Sequence, residues 1–313
     1  MKTPDEQPLQ TEETDERFES GAREYAEYLR TVEGRLRLDI AWENFRSAIA
    51  AGEEADSPSA SGAANCDAVS SVLPDEPQGA RGEALDLGCG TGALSVRLAR
   101  AGWSVSAADN SAAMIQIARE SARGEGCEDR IDFFNLEAER AAEHFGPKRF
   151  DAVVCHNVLE YVADSASVAR AIGQVSRPGA VVSLLARNRA GEALRDVVKR
   201  HDLDSAERAL TAESVRESLY GGPARLFDPG SLSALATEAG LETVAVRGVR
   251  VVADYLPPAL SGTEELYARL LAFELRLGAR PDFAAVARYV QLIARARPKG
   301  ERADATINRG QPS

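Results

Sequence analysis

The chain has 313 residues, 44% of them apolar, and a formal charge of −12, which is room for one large α/β domain with appendages and a sizeable core. No run of about 18 apolar residues occurs and the N-terminus is polar and acidic, so neither a membrane span nor a signal peptide is expected, and the expected location is cytoplasmic. The negative charge is concentrated at one end: residues 1–80 hold 7 basic and 18 acidic side chains, and 181–313 hold 19 basic and 17 acidic. The total therefore argues little against a nucleic-acid partner.

Residues 1–17 are charged and almost free of large apolar groups, and a disordered tail is expected there. From Phe18 to 52 apolar residues recur at three and four (Tyr25, Tyr28, Leu29, Val32, Leu36, Ile40, Phe45, Ile49), the period of amphipathic helices, with a break expected at Gly34. Residues 53–82 are rich in Ser, Ala, Gly, Pro, Asp and Glu, the composition of a flexible linker.

Ala84 to Gly92 reads ALDLGCGTG. An apolar strand runs straight into a glycine turn, and an amphipathic helix with Leu94, Leu98 and Ala101 follows. Side chains at Gly88 or Gly90 would keep the backbone from closing on a ligand, and the helix start beyond them offers unpaired N–H groups. A dinucleotide turn is spaced G-x-G-x-x-G. Here the spacing is G-x-G-x-G with Asp86 just ahead of it, a carboxylate that would repel a pyrophosphate and suit a cationic ligand. The next strand, Trp103 to Ala108, ends in Asp109, which can accept hydrogen bonds from both hydroxyls of a ribose. This turn with its two acids resembles the first motifs of class I S-adenosylmethionine (SAM) dependent methyltransferases, and the resemblance implies SAM as the cofactor.

Beyond it the pattern alternates: helix 112–123, strand 131–134, strand 150–155, helix 164–175 and strand 180–186, with Arg177-Pro178-Gly179 as the turn into the last. This predicts an α/β fold with a doubly wound, seven-stranded, mostly parallel Rossmann-like sheet. Ala138 and Glu139 follow the third strand, where such folds hold an adenine. Glu139 reads equally well as a solvated surface acid. His156 closes the strand Phe150–His156 at the rim of the glycine turn, either beside the ligand or as a strand-end histidine bonded to the backbone. Asn157 to Val162 is expected to open the next helix. Residues 187–227 interrupt the alternation and have the size of a lid. Asp228-Pro229 caps a helix running to Gly240. Strand patterns cover 242–252, and a helix from about Ser261 to Gly278 turns Leu266, Leu270, Phe273 and Leu277 inward. Tyr289 to Ala294 is the last strand, and 299–313 a tail. Cys66, Cys89, Cys127 and Cys155 form no C-x-x-C pair and, with His144, His156 and His201, no spacing for metal ligands, so no metal is expected.

Gly34-Arg35-Leu36-Arg37 with Trp42, the run His156 to Asp164, Arg187-Asn188, Gly248 to Tyr255 and Arg288-Tyr289-Val290 together resemble the tRNA 5-carboxymethoxyuridine methyltransferase (CmoM) family from about Phe18 to Pro298, interrupted by the linker. The resemblance implies a methyltransferase domain over 83–298, with tRNA as the partner. It implies that Arg37 grips the cofactor's carboxylate and that Gly88, Cys89, Asp109, Ala138, Glu139 and His156 hold the cofactor, alongside Asp86 and Gly90 of the turn. Arg250 is a natural partner for an acceptor carboxylate, with Tyr255 beside it. Two features depart from the family: the turn keeps L-G-C-G-T-G, and residues 204–227 offer only Arg208, Arg216 and Arg225 in place of a lysine cluster. A carboxylate acceptor is already ionised near neutral pH and needs no base, whereas a hydroxyl acceptor would call on His156. A small-molecule O-methyltransferase and a non-catalytic SAM-binding module are the alternatives.

Overall fold

The computed structural model describes residues 11–55, 81–216, 222–257 and 261–297, with side chains from Phe18 to Gly52 in the first stretch. The expected disorder at 1–10, most of the expected linker (56–80) and the C-terminal tail lie outside the described residues.

Two helices open the chain, α1 (Thr11–Arg30) and α2 (Val32–Ala55). α1 thus begins inside the segment expected to be disordered. The break falls at Thr31, not at Gly34. The Thr31 hydroxyl accepts the Gly34 N–H at 3.1 Å and so caps α2. Gly34 serves packing instead, because a Cβ there would lie 2.1 Å from the Tyr28 carbonyl oxygen.

The alternating section follows as β1 (Gly82–Leu87), α3 (Ala93–Arg100), β2 (Trp103–Asp109), α4 (Ala112–Gly124), β3 (Ile131–Asn135), α5 (Ala141–Phe145), β4 (Phe150–His156), α6 (Ser165–Val175) and β5 (Ser176–Arg187). Next come α7 (Arg189–Arg195), a π-helical turn Asp196–Arg200, α8 (Leu203–Thr211) and a small hairpin of β6 (Ser214–Arg216) and β7 (Pro223–Arg225). The chain returns to the sheet through α9 (Pro229–Glu238), β8 (Leu241–Val249), α10 (Glu264–Gly278), α11 (Pro281–Ala284) and β9 (Tyr289–Ala296). The seven-stranded sheet has the order β3-β2-β1-β4-β5-β9-β8 and only β9 runs against its neighbours. The winding direction reverses between β1 and β4, so the crevice beyond their carboxyl ends is where an open α/β sheet takes a ligand.

Alternation along the strands divides the core. Leu85, Leu87, Val153, Cys155, Val182 and Leu184 pack on one face with α6 and α9, while Ala84, Val105, Ala107, Ala152 and Val154 meet α2, α3 and α4 on the other. Phe45 of α2 is fully buried there, a contribution of about 2–3 kcal/mol.

Three local expectations change. Asn157 to Val162 is a turn and the helix waits until Ser165, because Asn157 is left-handed at φ 55° and cannot start a right-handed helix. Arg177-Pro178-Gly179 lies within the long strand β5, which shifts register against β4 between Phe150 and Ala152. In α10, capped by Thr263, the buried face is Tyr267, Leu270, Glu274 and Leu277, and Phe273 is 43% exposed. An apolar-only reading put the face one residue out because its buried member at 274 is an acid.

Candidate active site

The glycine turn is shaped by close contacts. Gly88, Gly90 and Gly92 take φ of 76°, 53° and 78°, and a Cβ on Gly88 would lie 2.1 Å from Val158 Cγ2. The turn also fixes Asp109: Gly90 N–H donates to its Oδ2 at 2.8 Å and Ser111 N–H to its Oδ1 at 3.0 Å. A carboxylate held this way can accept from the hydroxyls of a diol. Ser111 in turn caps α4 through Met114 N–H at 3.1 Å. Behind the turn Asp86 is 2% exposed and accepts the Ser95 hydroxyl at 2.5 Å. Burial, helped by nearby Asp109, pushes its carboxyl up to about 7 against the pull of that hydrogen bond.

At the end of β4, His156 lies with Nε2 2.8 Å from Ser183 Oγ. Burial, then Arg37, pushes its pKa down to about 3, so the ring is neutral across the physiological range. Asn157 accepts from Arg37 Nη1 at 2.8 Å and donates to Glu160 Oε1 at 2.8 Å. Glu160, fully buried, also accepts the Arg187 N–H at 2.9 Å and ties this turn to the end of β5.

Arg37 comes in from α2. Its other terminal nitrogen donates to Tyr25 OH at 2.7 Å, and its guanidinium carbon stands 5.5, 5.2 and 5.8 Å from the ring centres of Tyr25, Tyr28 and Tyr289. Helix α1 lies over this end of the sheet. Glu19 accepts the N–H groups of Ala112 and Ala113 at 2.5 and 3.1 Å, and Phe18 meets Tyr161 edge-on at 5.2 Å.

Past the β8 end, Arg250 is left-handed at φ 60°. Its Nε donates to Asp254 at 2.7 Å and its Nη1 to Tyr28 OH at 2.8 Å. The conformation is held because Glu274, fully buried, accepts the N–H groups of Val251, Val252 and Ala253 at 2.6, 2.9 and 2.6 Å. Tyr289 lies among these arginines. Burial would raise its phenol, but Arg187, Arg288, Arg250 and Arg37 outweigh it and bring the pKa down to about 8.

These groups share one cavity of about 580 Å³, within the range of small-molecule sites. At one end it is lined by Gly88, Gly90, Asp109, Leu136, Ala138 and Glu139, and at the other by Arg187, Arg195, Arg250, Arg288 and Tyr289, with Arg37 and His156 between. Of the residues expected from sequence, Asp86 and Cys89 lie apart from this cavity. They line a small adjoining recess that shares Tyr25, Arg37, Gly88, His156 and Asn157 with it. Tyr255 is half-buried and is not on the cavity lining. The 3-10 turn Ala253–Tyr255 sends Asp254 to Arg250, and successive residues of such a turn point about 120° apart. Tyr28 and Tyr289 take the place expected of Tyr255. The sequence pattern marks Tyr25 and Tyr28 only as members of a helix face and gives no role to Arg187, Arg195, Arg288 or Tyr289. No periodicity marks these residues, although Arg187 and the Arg288-Tyr289 pair stand in the runs on which the sequence resemblance rests.

The donor set fits SAM. Glycines without Cβ atoms, a carboxylate oriented by two backbone N–H groups at the place a ribose would take, apolar Leu136 and Ala138 for an adenine, and a buried Arg37 whose hydrogen bonds go to neutral partners for a carboxylate all meet in one cavity. Among the described residues no group of His, Cys, Asp and Glu is arranged to hold a metal ion, and no helix is long and apolar enough to cross a membrane.

Residues 84–179 match the family model described as a methyltransferase domain. The tRNA 5-carboxymethoxyuridine methyltransferase of Escherichia coli K12 is 31% identical over 211 residues, 67% of this chain and 78% of that protein. A ubiquinone biosynthesis O-methyltransferase of Pseudomonas aeruginosa LESB58 is 34% identical over 179 residues, 56% of this chain and 71% of that one. In fold the chain is similar to a SAM-dependent methyltransferase of Thermotoga maritima, with a TM-score of 0.51 at 15% identity over 91% of this chain and 100% of that one. A methyltransferase of Mesorhizobium loti gives 0.50 at 18% identity over 71% and 93%. With this sheet order, this turn and these relatives, the chain belongs to the class I S-adenosylmethionine-dependent methyltransferases.

Proposed function

We propose that the enzyme O-methylates a carboxylate, and that its acceptor is the 5-carboxymethoxy group of a tRNA wobble uridine. One observation carries the reading: the acceptor end of the cavity presents buried guanidiniums, Arg250 foremost, while the one histidine on the cavity, His156, is held neutral with no readiness to take a proton. A carboxylate, with a pKa of about 4, arrives ionised and needs no base. The E. coli relative, whose name states this acceptor, supports the same choice.

In this reading Asp109 accepts the ribose hydroxyls, the backbone at Gly88, Cys89 and Gly90 closes on the cofactor, and Ala138 and Glu139 flank the adenine. Arg37 takes the carboxylate of the cofactor, and Asp86 faces its amino end from the recess. The bound cofactor supplies an electrophilic methyl on a sulfonium. The protein's part is alignment and exclusion of water: Arg250, fixed by Asp254, Tyr28 and the Glu274 anchor, holds the acceptor carboxylate in line, and α1 covers the crevice. His156 acts as a neutral hydrogen-bonding group beside the transferring methyl.

Mass spectrometry of tRNA from a strain lacking the gene tests this. The wobble methyl ester is expected to vanish with its free acid accumulating, and an unchanged ester level would remove the tRNA acceptor. A second reading, an O-methyltransferase of a small molecule, is favoured by the lid. Arg208, Arg216 and Arg225 stand there with Asp204, Glu207 and Glu213, and Arg225 is already bonded to Ser165 Oγ at 2.8 Å, which leaves little for RNA phosphates. Methyl transfer to an RNA-free metabolite extract, with none to tRNA, would decide for it.

A further inference from the structure

The acceptor end carries more positive charge than its carboxylates offset. Glu192 of α7, 2% exposed, is a counter-ion shared by four arginines: Arg288 and Arg187 meet its Oε2, the latter at 3.4 Å, and Arg195 and Arg200 stand 3.6 and 3.9 Å from its Oε1. Asp196 is taken by Arg200 at 2.7 Å and Asp254 by Arg250, with Arg288 3.8 Å from it. Even with Glu160 counted, four carboxyl groups face five guanidiniums, and a second positive charge is uncovered wherever Glu160, pushed up by burial, keeps its proton.

Arg195 is the worst served of them. Its Nη1 is shielded from solvent and has no hydrogen-bond partner among the described residues, and burial together with Arg288 and Arg200 lowers its pKa. Arg195 and Arg288 both line the cavity that Arg250 lines. Arg195 is half-buried, and a guanidinium crowded by its own kind with a shielded, unpaired Nη1 is completed by an anion that receives two parallel N–H bonds.

We propose that Arg195, with Arg288 beside it, forms a second anion subsite at the acceptor end, which seats the phosphate flanking the acceptor uridine while Arg250 holds its carboxylate. The anion subsite stands on the guanidiniums alone; naming its occupant a phosphate of the acceptor rests on the carboxymethoxyuridine reading.

Two measurements on the full-length protein separate these claims. Inorganic phosphate titrated into the SAM-free enzyme and followed by phosphorus NMR is expected to show saturable line broadening that Arg195→Met abolishes and Arg195→Lys partly restores. In methyl-transfer assays on 5-carboxymethoxyuridine and its 5′- and 3′-monophosphates, Arg195→Met is expected to raise the KM of at least one monophosphate about tenfold to a hundredfold more than that of the nucleoside, the loss due one charge-assisted contact. Arg195→Met is also expected to melt no lower than wild type, since it removes a crowded charge, which guards against misreading a folding defect. Phosphate binding that depends on Arg195, with no methyl transfer to any of the three acceptors, would sink the uridine reading and leave the subsite standing. Equal phosphate binding in wild type and Arg195→Met, with KM values that move together, would overturn the subsite.

Discussion

Asp86 offers the sharpest quantitative test. Its carboxyl rises from 3.8 to about 7 in the folded chain because it is buried behind the glycine turn, a penalty on the charged form of ~4 kcal/mol. The unfolded chain loses this proton near 3.8 and the folded chain near 7. Across that window the unfolded state binds fewer protons, so the Asp86 contribution to stability falls as pH rises and is fully lost above about 7. Asp86→Asn imitates the protonated form and can still accept the Ser95 hydroxyl. It should match wild type near pH 4 and exceed it at pH 8 by up to ~4 kcal/mol in denaturant unfolding. Cofactor binding reverses the balance, because an ammonium group brought to the recess favours the carboxylate. Calorimetry in buffers of different ionisation heat should therefore show wild type releasing ~1 proton on binding SAM at pH 6, where the cofactor's own amino group is already protonated. Asp86→Asn should release none at that pH. If wild type releases no proton at pH 6, or the variant releases as many, the cofactor's amino end does not lie against Asp86 and that assignment fails.

Asp109→Ala should weaken SAM binding by about 2–4 kcal/mol, roughly thirtyfold to a thousandfold in Kd, since two charge-assisted bonds to the ribose are lost; a change under threefold in a calorimetric titration would remove Asp109 from the cofactor site. The pH dependence of kcat/KM should show no ionisation between 6 and 7.5 assignable to His156, whose pKa is pushed to about 3, and an acidic limb near 6.5 that disappears in His156→Phe would instead mark it as a base and the acceptor as a hydroxyl. Glu274→Gln sets a side-chain amide against one of three buried N–H groups and should cost about 2–4 kcal/mol of stability. At temperatures where it remains folded, its acceptor KM should rise while SAM affinity holds; a parallel loss of both would show that the 251–253 anchor does not act through Arg250.

The sheet was legible because a parallel strand buried on both faces is written as a short apolar run, here broken only by Asp86 in one strand and Asp151 in another. Phe150 to Cys155 and Ala84 to Leu87 could hardly be anything else once a glycine turn or an amphipathic helix followed. The misplacements share a cause: each involves a polar or small residue doing tertiary work. Gly34 reads as a breaker and is a contact point between helices, and Glu274, outside the apolar face expected of its helix, is a buried anchor for a strained loop. Asn157 reads as the first residue of a helix and is a left-handed corner gripped by Arg37 and Glu160. Periodicity detects where apolar side chains must go and is silent on where a carboxylate goes to satisfy someone else's backbone.

The candidate site divides along the same line. Its cofactor half is local: turn, acid and helix start lie within some 25 residues, from Asp86 to Asp109, and geometry along one βαβ unit was enough to order them. Its acceptor half is assembled from Tyr28 on α1, Arg187 at the end of β5, Arg195 on α7, Arg250 after β8 and Tyr289 on β9, and no spacing rule joins positions more than 200 residues apart. What joins them is charge. A phenol brought down to about 8 by four guanidiniums that outweigh its burial reports a local field that only the folded chain possesses, and that field favours anions of any kind. Methyl transfer from a sulfonium neutralises charge as it proceeds, so a site built only to speed the chemistry has no need of such a field. On the proposed reading its use is to hold an acceptor that arrives negative, which is why the arginine end, more than the cofactor end common to the whole fold, bears on what this enzyme methylates.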